Sequence, residues 1–133
     1  MIVDVHAHLW GTHPEEDKRK ILQVAEQFSV DKVMISTLQT YVPSQEEIRT
    51  DNELTWGFMK EHPELIMGYC YLNPRNPEAL DELRTCAEDR GFCGVKRGCP
   101  AGSAFHRCGA GAERARGVRR AVHALRRRQC GRR

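Results

Sequence analysis

The chain opens on an alternating pattern. In Ile2-Val3-Asp4-Val5-His6-Ala7-His8-Leu9-Trp10 the apolar Val3, Val5 and Ala7 fall on one side of an extended strand. Asp4, His6 and His8 fall on the other. The stretch reads as a buried strand ending in a polar cluster. Helical spacing follows: Ile21, Leu22, Ala25 and Phe28 recur at i, i+1, i+4 and i+7, with Val24 beside them. Thr12 or His13 would cap that helix, Pro14 suits its first turn, and Glu15, Glu16 and Asp17 complement its dipole. Residues 31–37 have a continuous apolar middle, as in a strand buried on both faces of a parallel sheet. Residues 38–50 read as a long connection. Thr50 and Glu53 form a capping-box pattern that opens a second helix. Leu54, Phe58 and Met59 give it a partial stripe, and His62-Pro63 ends it.

Residues 65–72 read as a third strand. Asn73-Pro74-Arg75-Asn76-Pro77 stops it and opens a third helix, with Asn76 as cap. Ala79, Leu80, Leu83 and Ala87 are its apolar face, with Cys86 beside them, and Gly91 stands where a left-handed C-cap is expected. Residues 92–96 are the fourth strand. The order βαβαβαβ predicts a parallel α/β fold. Two architectures share it: half of a TIM-like barrel, and an open doubly wound sheet. No Gly-x-Gly-x-x-Gly follows the first strand, which counts against dinucleotide binding. A TIM barrel takes about 250 residues, so the 133 residues here hold at most half of one.

Charge divides the chain. Residues 1–96 hold 10 Lys and Arg against 17 Asp and Glu, a net −7. Residues 97–133 hold 11 Arg against Glu113 alone, a net +10. A boundary near Arg97 follows. Beyond it Arg, Ala, Gly and Cys dominate, the mixture that GC-rich DNA gives when read out of frame. The competing reading is a basic amphipathic helix. Val118, Ala121, Val122 and Leu125 make an apolar stripe beside Arg119, Arg120, Arg126, Arg127 and Arg128, suited to nucleic acid or an anionic membrane surface. No aromatic residue interleaves with those arginines, so base stacking has no support. Cys99, His106 and Cys108 fit no zinc-finger or ribbon spacing. The chain shows no signal peptide and no apolar run of the ~18 residues that suggest a membrane span. The expected location is the cytoplasm, with the six cysteines reduced.

The candidate chemistry lies in the first strand. His6 and His8 share a face at the C-terminal end of a strand, where β/α folds place their sites. Two imidazoles so spaced can reach one metal ion, and neutral imidazole suits zinc and its neighbours. His13 reads as a loop or capping residue, and His62 as a helix-terminal surface residue. Tyr41, in the loop after the second strand, is a candidate for lining a substrate pocket, against the plainer reading of a solvated connection.

Val3-Asp4-Val5-His6-Ala7-His8 resembles the first-strand signature of the amidohydrolase superfamily, in its amidohydrolase-related branch. Tyr71-Leu72-Asn73-Pro74 and Gly91-Phe92-Cys93-Gly94-Val95-Lys96 support the likeness, which covers roughly residues 1–96. The resemblance implies a metal-dependent hydrolase, or a decarboxylase, acting on a small molecule on a TIM barrel. It makes His6 and His8 the first two metal ligands, with zinc the leading metal. Lys96 matches, by strand count, the carboxylated lysine that bridges the ions of two-metal members; a partner for a substrate anion and a plain surface lysine are its alternatives. Asp4 is a candidate for orienting one histidine, or else a residue buried at the barrel bottom. The family's ligands on strands five, six and eight have no recognisable counterpart, because His106 and His123 lie in the basic segment. The expectation is therefore an inactive fragment. It would hold βα structure over residues 1–96, self-associate through open sheet edges, and carry a mobile tail.

Overall fold

The computed structural model describes residues 1–40, 42–97 and 120. Its elements run β1 (Val3–Trp10), α1 (Pro14–Gln27), β2 (Lys32–Leu38), α2 (Gln45–Glu61), β3 (Ile66–Leu72), α3 (Ala79–Arg84) and β4 (Gly94–Arg97). All strand pairs are parallel, and the sheet order is β1-β2-β3-β4. A doubly wound sheet reverses direction partway across. Here each crossover adds the next strand on the same side, the arc of a barrel, so the open-sheet alternative is set aside for the described residues.

The first two helices show where side chains overrule spacing. In α1, Ala25 is buried and Ile21 and Leu22 pack partly against the core, but Phe28 is 61 % exposed. Phe28 is the C-cap, past the last turn that faces the sheet. His13 occupies the N-cap position without a side-chain hydrogen bond. The second helix starts six residues earlier than a Thr50 cap would give. Ser44 is the cap: its side chain accepts from the Glu47 N–H, and the Glu47 carboxylate accepts from the Ser44 N–H. Ser44-x-x-Glu47 is as good a capping box as Thr50-x-x-Glu53, and it follows Pro43, which cannot continue a ladder. Thr50 lies inside the helix, donating to the Glu46 carbonyl at 3.1 Å. The expected long loop shrinks accordingly.

The third helix is later and shorter than Asn76-Pro77 suggested. Asn76 donates its N–H to the Asn73 carbonyl in a turn, and Glu78 is the cap. The helix then widens into a π-helical turn over Thr85–Asp89. Gly91 sits at φ +72, the left-handed position expected of it.

Two apolar clusters cover the outer face of the sheet. One joins Leu9, Ala25, Val33, Ile35, Phe58 and Ile66; the other is built around Cys70, Leu72, Leu83, Cys86 and Phe92. Met59 of α2 packs against both. Asn52, also on α2, is buried in the second cluster and fully bonded. Its amide accepts the Tyr71 N–H at 2.8 Å, and donates to the Tyr71 carbonyl at 3.1 Å and to Glu82 at 2.8 Å. Buried amides of this kind add direction to a packed core.

The expectation of a wholly buried first strand fails. Val3 is 37 % exposed and Val5 59 %. Among the described residues β1 pairs with β2 alone, so its other edge has no neighbouring strand. The expected character of residues 97–133 falls outside the described residues, apart from Arg97 and Arg120.

Candidate functional site

The site is built by a bulge in β1. Asp4 pairs with Val33, but Ala7 pairs with Ile35, so β1 holds one more residue than β2 across this interval. An extra residue reverses the inside-outside alternation. Asp4 and Ala7 therefore line the same cleft under α1, together with Ile21 and Val33. The expected common face for Asp4, His6 and His8 does not form. His6 and His8 stay together, and Asp4 turns to the helix side. Its carboxylate still serves the site, accepting the main-chain N–H of His6 at 2.9 Å rather than a ring N–H.

On the concave face three nitrogens converge. His6 Nε2 and His8 Nε2 are 2.9 Å apart. Lys96 Nζ lies 2.9 Å from the first and 3.4 Å from the second. Strands are ~4.8 Å apart, so a flat sheet would separate β1 from β4 by about 14 Å. Contact between their side chains requires the sheet to curl toward this face. Lys96 is thus brought to the histidines from the far strand, 90 residues away.

The tautomer of His8 follows from its other nitrogen. His8 and Ser36 are register partners on β1 and β2. His8 Nδ1 is 3.2 Å from the Ser36 carbonyl and 3.1 Å from its hydroxyl. A carbonyl only accepts, so Nδ1 carries the proton and Nε2 of the neutral ring presents its lone pair. Burial holds the His8 pKa below its ordinary value, with Lys96 and His6 adding repulsion, against a smaller raising effect of the Ser36 carbonyl. A ring kept neutral and oriented from behind is the form that binds a metal.

The donor set fits a cation in part. Zn–N bonds of about 2.0–2.1 Å in tetrahedral geometry put neighbouring donors a little over ~3 Å apart, close to the His6–His8 separation. Lys96 already places its ammonium group against both Nε2 atoms. The described residues contain no group of three or more His, Cys, Asp and Glu able to hold a metal. His6 and His8 are the two imidazoles in place; His13 and His62 lie at helix ends, with the His62 ring against Phe58 at 5.4 Å. Tyr41, His106 and His123 lie outside the described residues.

Two residues of the site were not singled out by pattern. Ser36 sits in an apolar run and gave no signal by itself. Trp10 has its ring 5.5 Å from that of His8 and is 53 % exposed, forming a wall at the mouth of the site. Its place two residues beyond His8 on the same strand face is the signal that would have found it. Among the described residues, Cys70, Cys86 and Cys93 form no disulfide. Burial and the neighbouring Cys86 push the Cys70 thiol well above its usual range, which suits a packing role.

Comparison with known proteins gives two findings. The family model for amidohydrolases matches residues 3–126, a range that continues past Arg97. Among solved structures, 2,6-dihydroxybenzoate decarboxylase from Rhizobium is similar, at 17 % identity and a TM-score of 0.54, over 71 % of this chain and 36 % of that one. So is 2,6-dihydroxybenzoate decarboxylase complexed with 2,6-dihydroxybenzoate, at 16 % identity and a TM-score of 0.52, over 71 % of this chain and 37 % of that one. The chain spans little more than a third of either neighbour's length. No curated protein matches it. No helix among the described residues is long and apolar enough to cross a membrane.

Proposed function

The chain belongs to the amidohydrolase family, and from that premise we propose that His6 and His8 hold a divalent metal, zinc first, for hydrolysis of a small-molecule substrate. The observation that carries this reading is the convergence of two imidazole Nε2 atoms and Lys96 on one point of the concave sheet face. When bound, the ion supplies a water of lowered pKa and polarises a substrate carbonyl. Ser36 fixes the His8 ring so that Nε2 faces inward. Asp4 holds the backbone at the bulge that aims His6. Lys96 belongs to the same site, as a carboxylated ligand or as the cation that meets a substrate anion. Trp10 shields one side from water.

A second reading, decarboxylation, draws on the two similar structures, both named as 2,6-dihydroxybenzoate decarboxylases. Lys96 favours it modestly, because a substrate carboxylate would need a nearby cation. A catalytic zinc usually has three protein ligands. With two in place among the described residues, the 133-residue chain is expected to bind metal weakly and turn over little substrate. The basic segment from residue 97 is proposed as a separate unit. The coding sequence around codon 97, read in three frames, tests whether that segment is an out-of-frame product.

Metal content after dialysis, measured by mass spectrometry, tests the central reading. Dialysed to equilibrium against a fixed free zinc concentration, the parent chain should hold at least tenfold more zinc than the His6→Ala, His8→Ala double variant. Equal metal in both would sink the assignment.

A further inference from the structure

At the other end of the sheet lies a cavity of about 450 Å³, within the size range of small-molecule sites. Lys32 and Ile66, the first residues of β2 and β3, mark it as belonging to the strand N-terminal end. His8 is in register with Ser36, four residues further along β2, or roughly 13 Å at ~3.3 Å per residue. This cavity is therefore separate from the histidine face, and a ligand bound in it is independent of the function proposed there.

Its chemistry is unlike that of the surrounding protein. Residues 1–96 carry a net −7, yet the lining holds Lys32, Lys60 and Arg90 and no acid. The other wall is soft and apolar: the Trp56 indole with the Met59 and Met67 thioethers. Lys60 Nζ stands 3.7 Å from the centre of the Trp56 ring, and Arg90 Cζ stands 4.8 Å from it. Two cations on one indole polarise it and hold it still. Arg90 is anchored by Glu53, and Lys32 donates to the Glu64 carbonyl. Lys60 is exposed and has no carboxylate within ion-pair distance among the described residues. The cavity thus combines an indole covered by two cations, two sulfur contacts that favour aromatic rings, and in Lys60 a cation seated on the indole with no carboxylate beside it.

We propose that this cavity binds a small aromatic carboxylate, its ring against the Met59 and Met67 thioethers and its charge on Lys60, which lies over Trp56. The recognition is a ring–thioether contact plus one charge-assisted hydrogen bond, with Lys32 and Arg90 adding long-range attraction.

The chain has two tryptophans, so Trp10→Phe leaves Trp56 as the only tryptophan emitter. Benzoate is titrated against this variant while its fluorescence is followed. Saturable quenching is expected, with at least tenfold weaker binding of neutral benzamide. Lys60→Glu in the same background should weaken benzoate at least tenfold, Lys60→Gln by less, and His6→Ala should leave it unchanged. Lys60 is exposed, so neither substitution should disturb folding, and Lys60→Gln alone carries the test if Lys60→Glu does not fold. Quenching that stays linear with concentration overturns the proposal. So does equal binding of benzamide, indifference to both Lys60 substitutions, or loss of binding on His6→Ala, which would place the ligand on the histidine face.

Discussion

β1 and β3 are strands of nearly equal length in one sheet, and they lead opposite lives. β3 has a strand on each side, α2 and α3 above it, and several of its seven residues sealed from solvent or almost so, including Cys70, Tyr71 and Leu72. β1 has β2 on one side, its first four residues are exposed, and only Leu9 is fully buried. Yet β1 carries the histidines. The difference teaches that tight packing and the proposed metal-binding histidines fall on different strands. β3 holds the sheet in its curl. β1 is aimed by a bulge, by Asp4 and by Ser36, with little packing of its own.

Leu72→Ala should break β3. It removes a fully buried side chain from the larger cluster and is expected to cost about 2–5 kcal/mol, enough to unfold much of a marginal domain. Val5→Ala, on a residue 59 % exposed, should change stability by no more than about 0.5 kcal/mol. Urea unfolding of both variants measures this. Similar midpoints would show that β1 is covered in solution by something that seals Val5, such as a second copy pairing at the open edge.

Gly68→Ala probes how closely β3 meets α2. A Cβ there would come within 2.5 Å of Met59 Sδ, 3.0 Å of Thr55 Cγ2 and 3.1 Å of Phe92 Cδ1. Met59 can swing aside, but Thr55 and Phe92 are buried. A loss of about 1–3 kcal/mol is expected from overpacking. A neutral result in the same urea experiment would mean that this layer is looser than its contacts indicate.

The smallest effect lies at the seam between the two regions. Gln39 lies against Gly11 in the loop after β1, where an added Cβ would come within 2.2 Å of it. From there Gln39 Nε2 donates to Asp51 Oδ1 on α2 at 2.8 Å. Asp51 is fully buried and its second oxygen has no partner among the described residues. Burial raises its pKa; Gln39 lowers it in part, and Glu47 adds repulsion. A carboxyl whose folded pKa lies above its unfolded value contributes stability that is whole at acidic pH. That contribution is lost as pH rises through the folded value. At neutral pH the ionised group is therefore a burden. Asp51→Asn, which keeps the bond from Gln39, should raise stability at pH 7 by roughly 1 kcal/mol, the order for an unpaired buried charge less the unmade bond of the new amide. The gain should shrink as pH falls towards ~4. Thermal unfolding across pH checks it, and a variant less stable than the parent at pH 7 would show that ionised Asp51 has a partner.

The parallel βα order was legible because apolar runs, Pro and Gly at element ends, and local spacing encode it directly. Gly91 and the strands lie within two residues of where those signals put them. Helix starts are harder to read. Ser44 with Glu47 and Thr50 with Glu53 are equal signals, and only the packing of Ile48, Asp51 and Asn52 against the sheet selects the earlier one. Phe28 departs from its expected burial for the same reason, since a helical stripe does not say where the sheet beneath it ends.

By itself, the sequence determined the order and type of elements, the division of charge near Arg97, and the pairing of His6 with His8 on one strand face. Those are properties of near neighbours in the chain, set by alternation, propensity and composition. Tertiary structure decided that Asp4 turns away from the histidines, that Ser36 fixes the His8 tautomer, and that Lys96 closes the triangle. Each depends on register between strands far apart in sequence. A single extra residue in β1 reverses a face, and the curl of the sheet brings β4 across to β1. No local pattern carries that information, because it arises from how twisted strands and their helices fill space together.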